Sequence, residues 1–127
     1  MIVSYRLSNA AQHDIVDILT WTQGNFGDAA RQRYGALLVA AMRDISAAPE
    51  RVGSIARPEL GAGVRSWHLR LSRERARTET GIVQRPRHFL IYRIEARIIV
   101  IGRVLHDVME RCLLYTSPSP RDQRGSR

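Results

Sequence analysis

The 127-residue sequence contains no lysine, one cysteine and few aromatic residues. All 20 of its basic residues are arginine, against 12 acidic residues, and the formal net charge is +8. A GC-rich coding bias is the simpler explanation for the missing lysine. The chemical consequence holds in either case, because guanidinium groups favour bidentate contact with carboxylates and phosphates. The excess of positive charge predicts an acidic partner, either nucleic acid or an acidic protein segment.

The single cysteine, Cys112, excludes an internal disulfide and a cysteine-based metal cluster, which fits a reducing compartment. Residues 1–7 lack the long apolar run of a secretory signal. No apolar run approaches the roughly 20 residues that a membrane-spanning helix needs. We therefore expect a cytoplasmic protein that does not associate with a membrane.

Metal ligands and base-stacking platforms are also scarce. The four histidines do not show the close spacing of a metal site, so we expect neither a metal nor another cofactor; they are His13, His68, His88 and His106. An aromatic content of 6% offers few rings on which nucleic-acid bases could stack.

The chain length predicts one domain, over residues 1–112. The last stretch is residues 113–127, in which residues 116–127 contain repeated Ser-Pro and almost no apolar side chains. This composition predicts a flexible segment that looks like a vector or assembly scar in place of a native C-terminus, and we exclude it from the fold.

The first half of the chain predicts a strand followed by a helical hairpin. Residues 2–7 alternate as a strand, and Ser8 is a suitable N-cap for a helix that ends near Gly24. Asp14 and Asp17 are expected to face outward from this helix. Asp28 is expected to cap a second helix over residues 29–48, which Pro49 ends. The apolar stripe predicted for that helix consists of Tyr34, Leu37, Leu38, Ala41 and Ile45.

The second half predicts the rest of the sheet. After a loop over residues 50–63, residues 64–70 alternate as a strand with Trp67 in the core. Residues 72–85 are polar and charged, which predicts a long mobile loop. Two β-rich runs, 87–93 and 98–106, predict an antiparallel hairpin. The second run is apolar on both faces, so we expect it to lie inside the sheet and to be covered on both sides. Asp107 is expected to cap a short final helix.

An antiparallel hairpin places the start of its first strand beside the end of its second. Five basic or imidazole side chains could therefore meet at one end of the sheet: Arg70, Arg87, His88, Arg103 and His106. A histidine can act as general base and an arginine can stabilise a phosphate, which would suit RNA cleavage. The simpler interpretation is a chance cluster on an arginine-rich surface, because no partner for general acid–base chemistry is apparent in the sequence.

Several motifs together resemble the ParE-type toxins of the RelE/ParE superfamily. They occur in the same order and spacing over about residues 3–111: AAQHDIVDI at 10–18, NFG at 25–27, RPELG at 57–61, GVRS at 63–66, RHFLIYR at 87–93 and IGRVLHD at 101–107. The resemblance implies an α+β fold in which an N-terminal strand and an α-helical hairpin pack on an antiparallel β-sheet that carries a short C-terminal helix.

The resemblance also implies the toxin of a bacterial type II toxin–antitoxin system, of the kind associated with plasmid stabilization, in a hetero-oligomer with a small acidic ParD-like antitoxin. The ParE branch poisons DNA gyrase without catalysis, whereas the RelE branch cleaves mRNA on the ribosome. The absence of lysine and of a clear tyrosine after the last strand favours the ParE branch.

These branches lead to different expectations for the same residues. As a non-catalytic gyrase inhibitor, the protein would contact its target through Arg103 and His106. As a ribosome-dependent endoribonuclease, it would use Arg87, His88, Arg103 and His106 as catalytic candidates. In either case Trp21 and Tyr34 are the expected contacts for the antitoxin. A third alternative is a non-toxic homologue that only titrates antitoxin.

Overall fold

A computed structural model describes residues 4–109. Its elements follow in chain order: strand β1 (Ser4–Leu7), helix α1 (Asn9–Phe26), helix α2 (Asp28–Ala47), strand β2 (Ile55–Ala56), strand β3 (Val64–His68), strand β4 (His88–Glu95) and strand β5 (Ile98–His106). Short 3₁₀ helices occupy Pro58–Leu60 and Leu69–Arg75. The predictions for residues 2–3, Cys112 and the segment 113–127 lie outside the described residues, and the domain boundary at residue 112 stays a prediction.

The five strands form one mixed sheet in the order β1-β5-β4-β3-β2. Three neighbouring pairs are antiparallel, and β1 is parallel to β5, with Ser4 opposite Ile98. The α+β fold and the predicted hairpin are thereby confirmed, with β5 inside the sheet. The expectation that β5 is covered on both faces is wrong for one face, because Ile99 and Ile101 on one face are fully buried while Ile98 on the other is 37% exposed.

Helix α1 begins as predicted but ends later. The Ser8 side chain accepts a hydrogen bond from the backbone N–H of Ala11, as an N-cap does. The helix then continues through Gly24 to Phe26 and ends at Gly27, whose φ of 93° suits a residue without a Cβ atom. The predicted end at Gly24 is therefore wrong: glycine also tolerates the helical conformation.

Helix α2 buries the predicted apolar stripe. Tyr34, Leu37, Leu38, Ala41 and Ile45 are all buried, and they share one core with residues of α1 and of β3, β4 and β5. The capping expectation for Asp28 is wrong, because Gly27 is the N-cap and no side chain caps the helix. The Asp28 carboxylate, in the first turn, instead accepts a hydrogen bond from the Gln23 amide.

The segment predicted to be a long mobile loop is in part an ordered 3₁₀ helix, Leu69–Arg75. Because this 3₁₀ helix begins at Leu69, strand β3 ends at His68 and not at residue 70 as predicted. Ser72 is fully buried and donates a hydrogen bond to the Asp44 carboxylate at 2.5 Å. Arg75 contacts the same carboxylate through Nε at 2.9 Å. The segment packs against α2 because a buried acid there requires hydrogen-bond donors.

Helix α1 also completes one edge of the sheet. Strand β1 ends at Leu7 opposite Ile101, so β5 continues without a β1 neighbour beyond that point. The Ser8 hydroxyl donates to the carbonyl of Gly102 at 2.8 Å, and the Asp14 carboxylate accepts from the backbone N–H of Val104 at 2.9 Å. Asp14 therefore faces the sheet, which corrects the expectation that it points outward.

Residues 107–109 are helical, so Asp107, which was expected to cap the final helix, is instead its first helical residue. Within residues 4–109, neither helix combines the length and the hydrophobicity needed to cross a lipid bilayer.

Candidate functional site at the end of the sheet

Six polar side chains gather where β3 and β5 end and β4 begins. We call them the sheet-end cluster: Tyr34, His68, Arg87, His88, His106 and Asp107. His88 lies directly opposite His106 in the ladder, and their rings meet edge to face with centroids 5.2 Å apart. Helix α2 places Tyr34 over the same end, with its hydroxyl 2.7 Å from His88 Nδ1. The predicted meeting of the two hairpin ends is therefore confirmed.

The proton positions on Tyr34 and His88 follow from their contacts. The Tyr34 hydroxyl accepts a hydrogen bond from the backbone N–H of Arg87 at 3.1 Å, and its own proton needs an acceptor. We assign that acceptor as His88 Nδ1, which puts the proton of the neutral ring on Nε2. Burial raises the pKa of Tyr34 to about 12, so the hydroxyl remains a donor. Burial first, and the neighbouring His106 second, lower the pKa of His88 to about 4.

The other two histidines of the cluster also accept hydrogen bonds at Nδ1. His68 Nδ1 accepts from the backbone N–H of Arg70 at 3.1 Å and thereby caps the 3₁₀ helix. His106 Nδ1 accepts from the backbone N–H of Val108 at 3.2 Å. As with His88, the neutral form of each ring carries its proton on Nε2.

Asp107 connects these groups. Its carboxylate lies 3.3 Å from Arg87 Nε, 3.6 Å from His68 Nε2 and 3.3 Å from His106 Nδ1. Burial raises the pKa of Asp107, but the hydrogen bonds and charge of Arg87 and the contacts with both histidines outweigh burial, so the pKa lies below its ordinary value. The cluster therefore contains an ionised carboxylate at neutral pH.

Two of the predicted cluster residues lie elsewhere. Arg103 is opposite Ile91, and its guanidinium binds the Asp14 carboxylate through Nε at 2.7 Å and Nη2 at 3.0 Å. This hydrogen-bonded pair raises the pKa of Arg103 and joins α1 to β5. Arg70 lies in the 3₁₀ helix after β3, with an exposed side chain, and lines a cavity of about 370 Å³ with His68.

Sequence reasoning missed three members of the cluster: Tyr34, His68 and Asp107. The expectation that no carboxylate partner is present is wrong, because Asp107 directly follows His106 and faces both it and His68. That adjacency was visible in the sequence. Tyr34 could not be found in the same way, since its place depends on how α2 crosses the sheet.

The cluster is suited to donating hydrogen bonds. A general base needs an unprotonated nitrogen that can reach its substrate. In this cluster each histidine has Nδ1 occupied by an internal donor and, in the neutral ring, a proton on Nε2. His68 Nε2 faces the Asp107 carboxylate inside the cluster. The donors that remain at the surface are therefore His106 Nε2 and the outer nitrogens of the exposed Arg87 guanidinium, which can bind acidic groups.

The same hydrogen bonds disfavour metal binding. A histidine that ligates a metal through Nε2 donates from Nδ1, whereas these rings accept at Nδ1. Among residues 4–109, no group of three or more His, Cys, Asp or Glu side chains is arranged to hold a metal ion.

The two residues expected to contact an antitoxin differ greatly in exposure. Trp21 is 61% exposed and stacks edge to face with Phe26, which is 67% exposed, at a centroid distance of 5.7 Å. Tyr34 is only 8% exposed, and its hydroxyl is engaged inside the sheet-end cluster. The aromatic pair Trp21–Phe26 therefore offers much more surface to a partner than Tyr34 does.

The family model for the "ParE toxin of type II toxin-antitoxin system, parDE" matches residues 5–111. A search of curated proteins found no match.

Two solved structures have a similar fold. One, described as a chromosomal ParDE toxin–antitoxin system from P. aeruginosa, superposes with a TM-score of 0.59 at 16% identity, covering 83% of this chain and 96% of that one. The other, the toxin–antitoxin complex RelBE2 from Mycobacterium tuberculosis, has a TM-score of 0.50 at 24% identity, covering 84% of this chain and 99% of that one. At these identities the similarity concerns the fold alone.

Proposed function

The chain belongs to the ParE family of type II toxins, and from this premise we propose that it acts by binding: it inhibits DNA gyrase and is neutralised by an acidic antitoxin. The observation that carries the choice of mechanism is the state of the sheet-end histidines. Each uses Nδ1 as an acceptor for an internal donor, so none offers a base to an RNA hydroxyl.

The alternative is ribosome-dependent cleavage of mRNA. It is supported by the juxtaposition of Arg87, His88, His106 and Asp107, since an arginine beside a histidine–carboxylate pair resembles the parts of a nuclease site. It requires His106 to release the N–H of Val108 before its Nδ1 could take up a proton. Arg103 would not take part, because Asp14 holds its guanidinium.

A gyrase supercoiling assay beside a translation extract separates the two mechanisms. We expect the purified protein to inhibit supercoiling or to trap cleaved DNA, and to leave mRNA intact. Cut mRNA with unaffected gyrase would overturn the proposal. In that case His106→Ala should lower the cutting rate at least about tenfold, as loss of a general base does. If neither assay responds and overexpression leaves growth normal, the protein only titrates antitoxin.

For the antitoxin, the net charge of +8 favours an acidic chain, which would gain both charge pairing and apolar burial on the toxin. The exposed pair Trp21–Phe26 is the proposed anchor, because exposed aromatic rings often dominate binding energy. The prediction that Tyr34 contributes remains, although its hydroxyl is already engaged.

Trp21→Ala should weaken antitoxin binding about tenfold or more and leave the thermal unfolding temperature nearly unchanged. Val52→Ala is the matched control, since Val52 is 99% exposed and lies in the loop between α2 and β2. Equal affinity of Trp21→Ala and wild type, measured by isothermal titration calorimetry, would contradict the proposed anchor.

A further inference from the structure

The segment between β3 and β4 concentrates positive charge. Two acidic residues in it, Glu74 and Glu79, stand against six arginines: Arg70, Arg73, Arg75, Arg77, Arg85 and Arg87. Residues 69–87 also contain no phenylalanine, tyrosine or tryptophan. Among residues 4–109, the large apolar side chains that are exposed all lie outside residues 56–93. The surface of this segment is therefore rich in guanidinium groups and poor in apolar area.

Hydrogen bonds fold this segment back on itself. The backbone N–H of Thr78 donates to the carbonyl of Gly81 at 2.9 Å, and that of Gly81 donates back to Thr78 at 3.0 Å. After this turn the chain returns to the 3₁₀ helix, where Arg73 Nη1 donates to the carbonyl of Gln84 at 2.7 Å. The residues before and after the turn therefore lie side by side in one ordered segment.

Three arginines of this segment leave their charge at the surface, and we call them the arginine surface: Arg77, Arg85 and Arg87. The Arg77 side chain is 66% exposed and forms one loose ion pair with Glu74, at 3.8 Å. Arg85 is exposed and has no ion-pair partner within residues 4–109. The Arg87 side chain is 61% exposed and contacts Asp107 through Nε at 3.3 Å. Ion pairs with this exposure contribute little, so these guanidinium groups can exchange partners at small cost.

The chemistry of the arginine surface distinguishes between the two acidic partners that the composition allows. An acidic peptide that folds on binding depends on apolar burial, for which this surface offers little area. A phosphate backbone requires cationic donors, and arginine can bind a phosphate through two parallel hydrogen bonds. Proteins that bind single strands also use aromatic rings for stacking, which residues 69–87 lack. The arginine surface therefore fits the backbone of a nucleic-acid duplex.

We propose that the arginine surface binds the phosphate backbone of duplex DNA without reading its sequence. Contacts to phosphate carry no direct base information, which suits a surface made of guanidinium groups. The surface is distinct from the aromatic pair on α1 that is the proposed antitoxin anchor. One consequence rests on the proposed function: a toxin bound to gyrase would also hold the DNA that gyrase carries.

Two double variants with the same net charge test the arginine surface. Arg77→Gln with Arg85→Gln removes two of its guanidinium groups, neither of which neutralises a buried acid. Arg6→Gln with Arg93→Gln is the matched control, because both side chains are exposed and lie near Glu95, at the other end of β4. Each double variant lowers the formal net charge of +8 by two. Circular dichroism during heating checks that both fold.

Fluorescence anisotropy with a short labelled DNA duplex at several salt concentrations measures binding. For the Arg77/Arg85 variant we expect the dissociation constant to rise about tenfold at low ionic strength. The slope of log K against log salt should shrink by about 2, since each lost phosphate contact removes about 0.9. The Arg6/Arg93 variant should keep most of the wild-type affinity and slope. Duplexes of different sequence and equal length should bind within about twofold of one another.

Three results would overturn the proposal. Equal weakening of DNA binding in the two double variants would mean general attraction by the net charge and no defined surface. Tighter binding of an RNA duplex of the same sequence, or of either single strand, would assign the surface to a different nucleic acid. Antitoxin binding that the Arg77/Arg85 variant weakens, with DNA binding unchanged, would assign it to a protein partner.

The gyrase supercoiling assay separates this proposal from the proposed function, because the anisotropy experiment contains no gyrase. Wild type that binds duplex DNA through the arginine surface but leaves gyrase active would contradict the proposed function alone. Wild type that inhibits gyrase but does not bind the duplex would contradict the DNA surface alone.

Discussion

Asp44 and Asp107 are both carboxylates surrounded by arginine and other hydrogen-bond donors, but water reaches them differently. The Asp44 side chain is 11% exposed and contacts Ser72, Arg75 and, more distantly, Arg51. The Asp107 side chain is 27% exposed, and its partner Arg87 is 61% exposed. The contribution of an ion pair to stability depends on its burial. We therefore expect the Asp44 contacts to stabilise the fold, whereas the Asp107 contact leaves the Arg87 guanidinium exposed to solvent.

The largest difference should appear on removal of the buried acid. Asp44→Ala leaves the buried Ser72 hydroxyl without its acceptor and removes the partner of Arg75, while Trp67 Nε1 still donates to Ser72 at 2.9 Å. We expect the free energy of unfolding to fall by about 3 kcal/mol. Urea denaturation measures the change.

Asp44→Asn is the intermediate control for that experiment, since its amide oxygen can still accept from Ser72, while the charge and the second acceptor oxygen for Arg75 are lost. A loss below about 1 kcal/mol in Asp44→Ala would show that the segment holds its place without the buried acid.

In the sheet-end cluster, a change of pH should alter the free energy of unfolding more than removal of the Asp107 carboxylate does. The pKa of His88 is about 4 in the folded protein and 6.5 ordinarily. The unfolded chain therefore binds more protons between these values, and the stabilisation present above about pH 6.5 is lost as the pH falls toward about 4. We expect a loss of about 2 kcal/mol across this range, allowing for the part of the ring that water reaches.

His88→Asn isolates this contribution, because its side-chain oxygen can accept from Tyr34 but does not titrate there. Its unfolding free energy should depend less on pH than that of wild type over the same range. If the plots of unfolding free energy against pH run parallel for the two proteins, His88 is protonated as easily in the folded chain as in the unfolded one.

The smallest effect should follow from Asp107→Ala. Its partners are exposed or retain other contacts, so we expect a loss of less than about 1 kcal/mol in the free energy of unfolding. Urea denaturation under the conditions used for Asp44→Ala gives a direct comparison. A loss as large as that of Asp44→Ala would remove the distinction between the two regions.

The sequence predicted most of the framework because hydrophobic periodicity is local. The stripe from Tyr34 to Ile45 repeats at helical spacing, and the β-rich runs at 88–95 and 98–106 alternate or remain apolar. The antiparallel pairing of those runs also predicted that His88 and His106 meet.

Two of the errors concern contacts between residues distant in the chain. Asp14 was expected to face solvent, but the β5 edge it contacts lies 90 residues later. Ser72 belonged to a predicted mobile loop, although its acceptor Asp44 lies 28 residues earlier. A charged residue is expected to be exposed unless another element of the fold supplies a hydrogen-bonding partner that lets it be buried. The sequence does not show which distant residue that partner will be.

The parallel pairing of β1 with β5 has a consequence for folding. Ser8 donates to the carbonyl of Gly102, 94 residues away, and the first strand joins the sheet only beside the last strand described. Pairings of such high sequence separation form slowly, since the chain between them must be ordered first. During synthesis the sheet cannot be completed until β5 has left the ribosome, so the growing chain lacks the finished sheet and its sheet-end cluster until then.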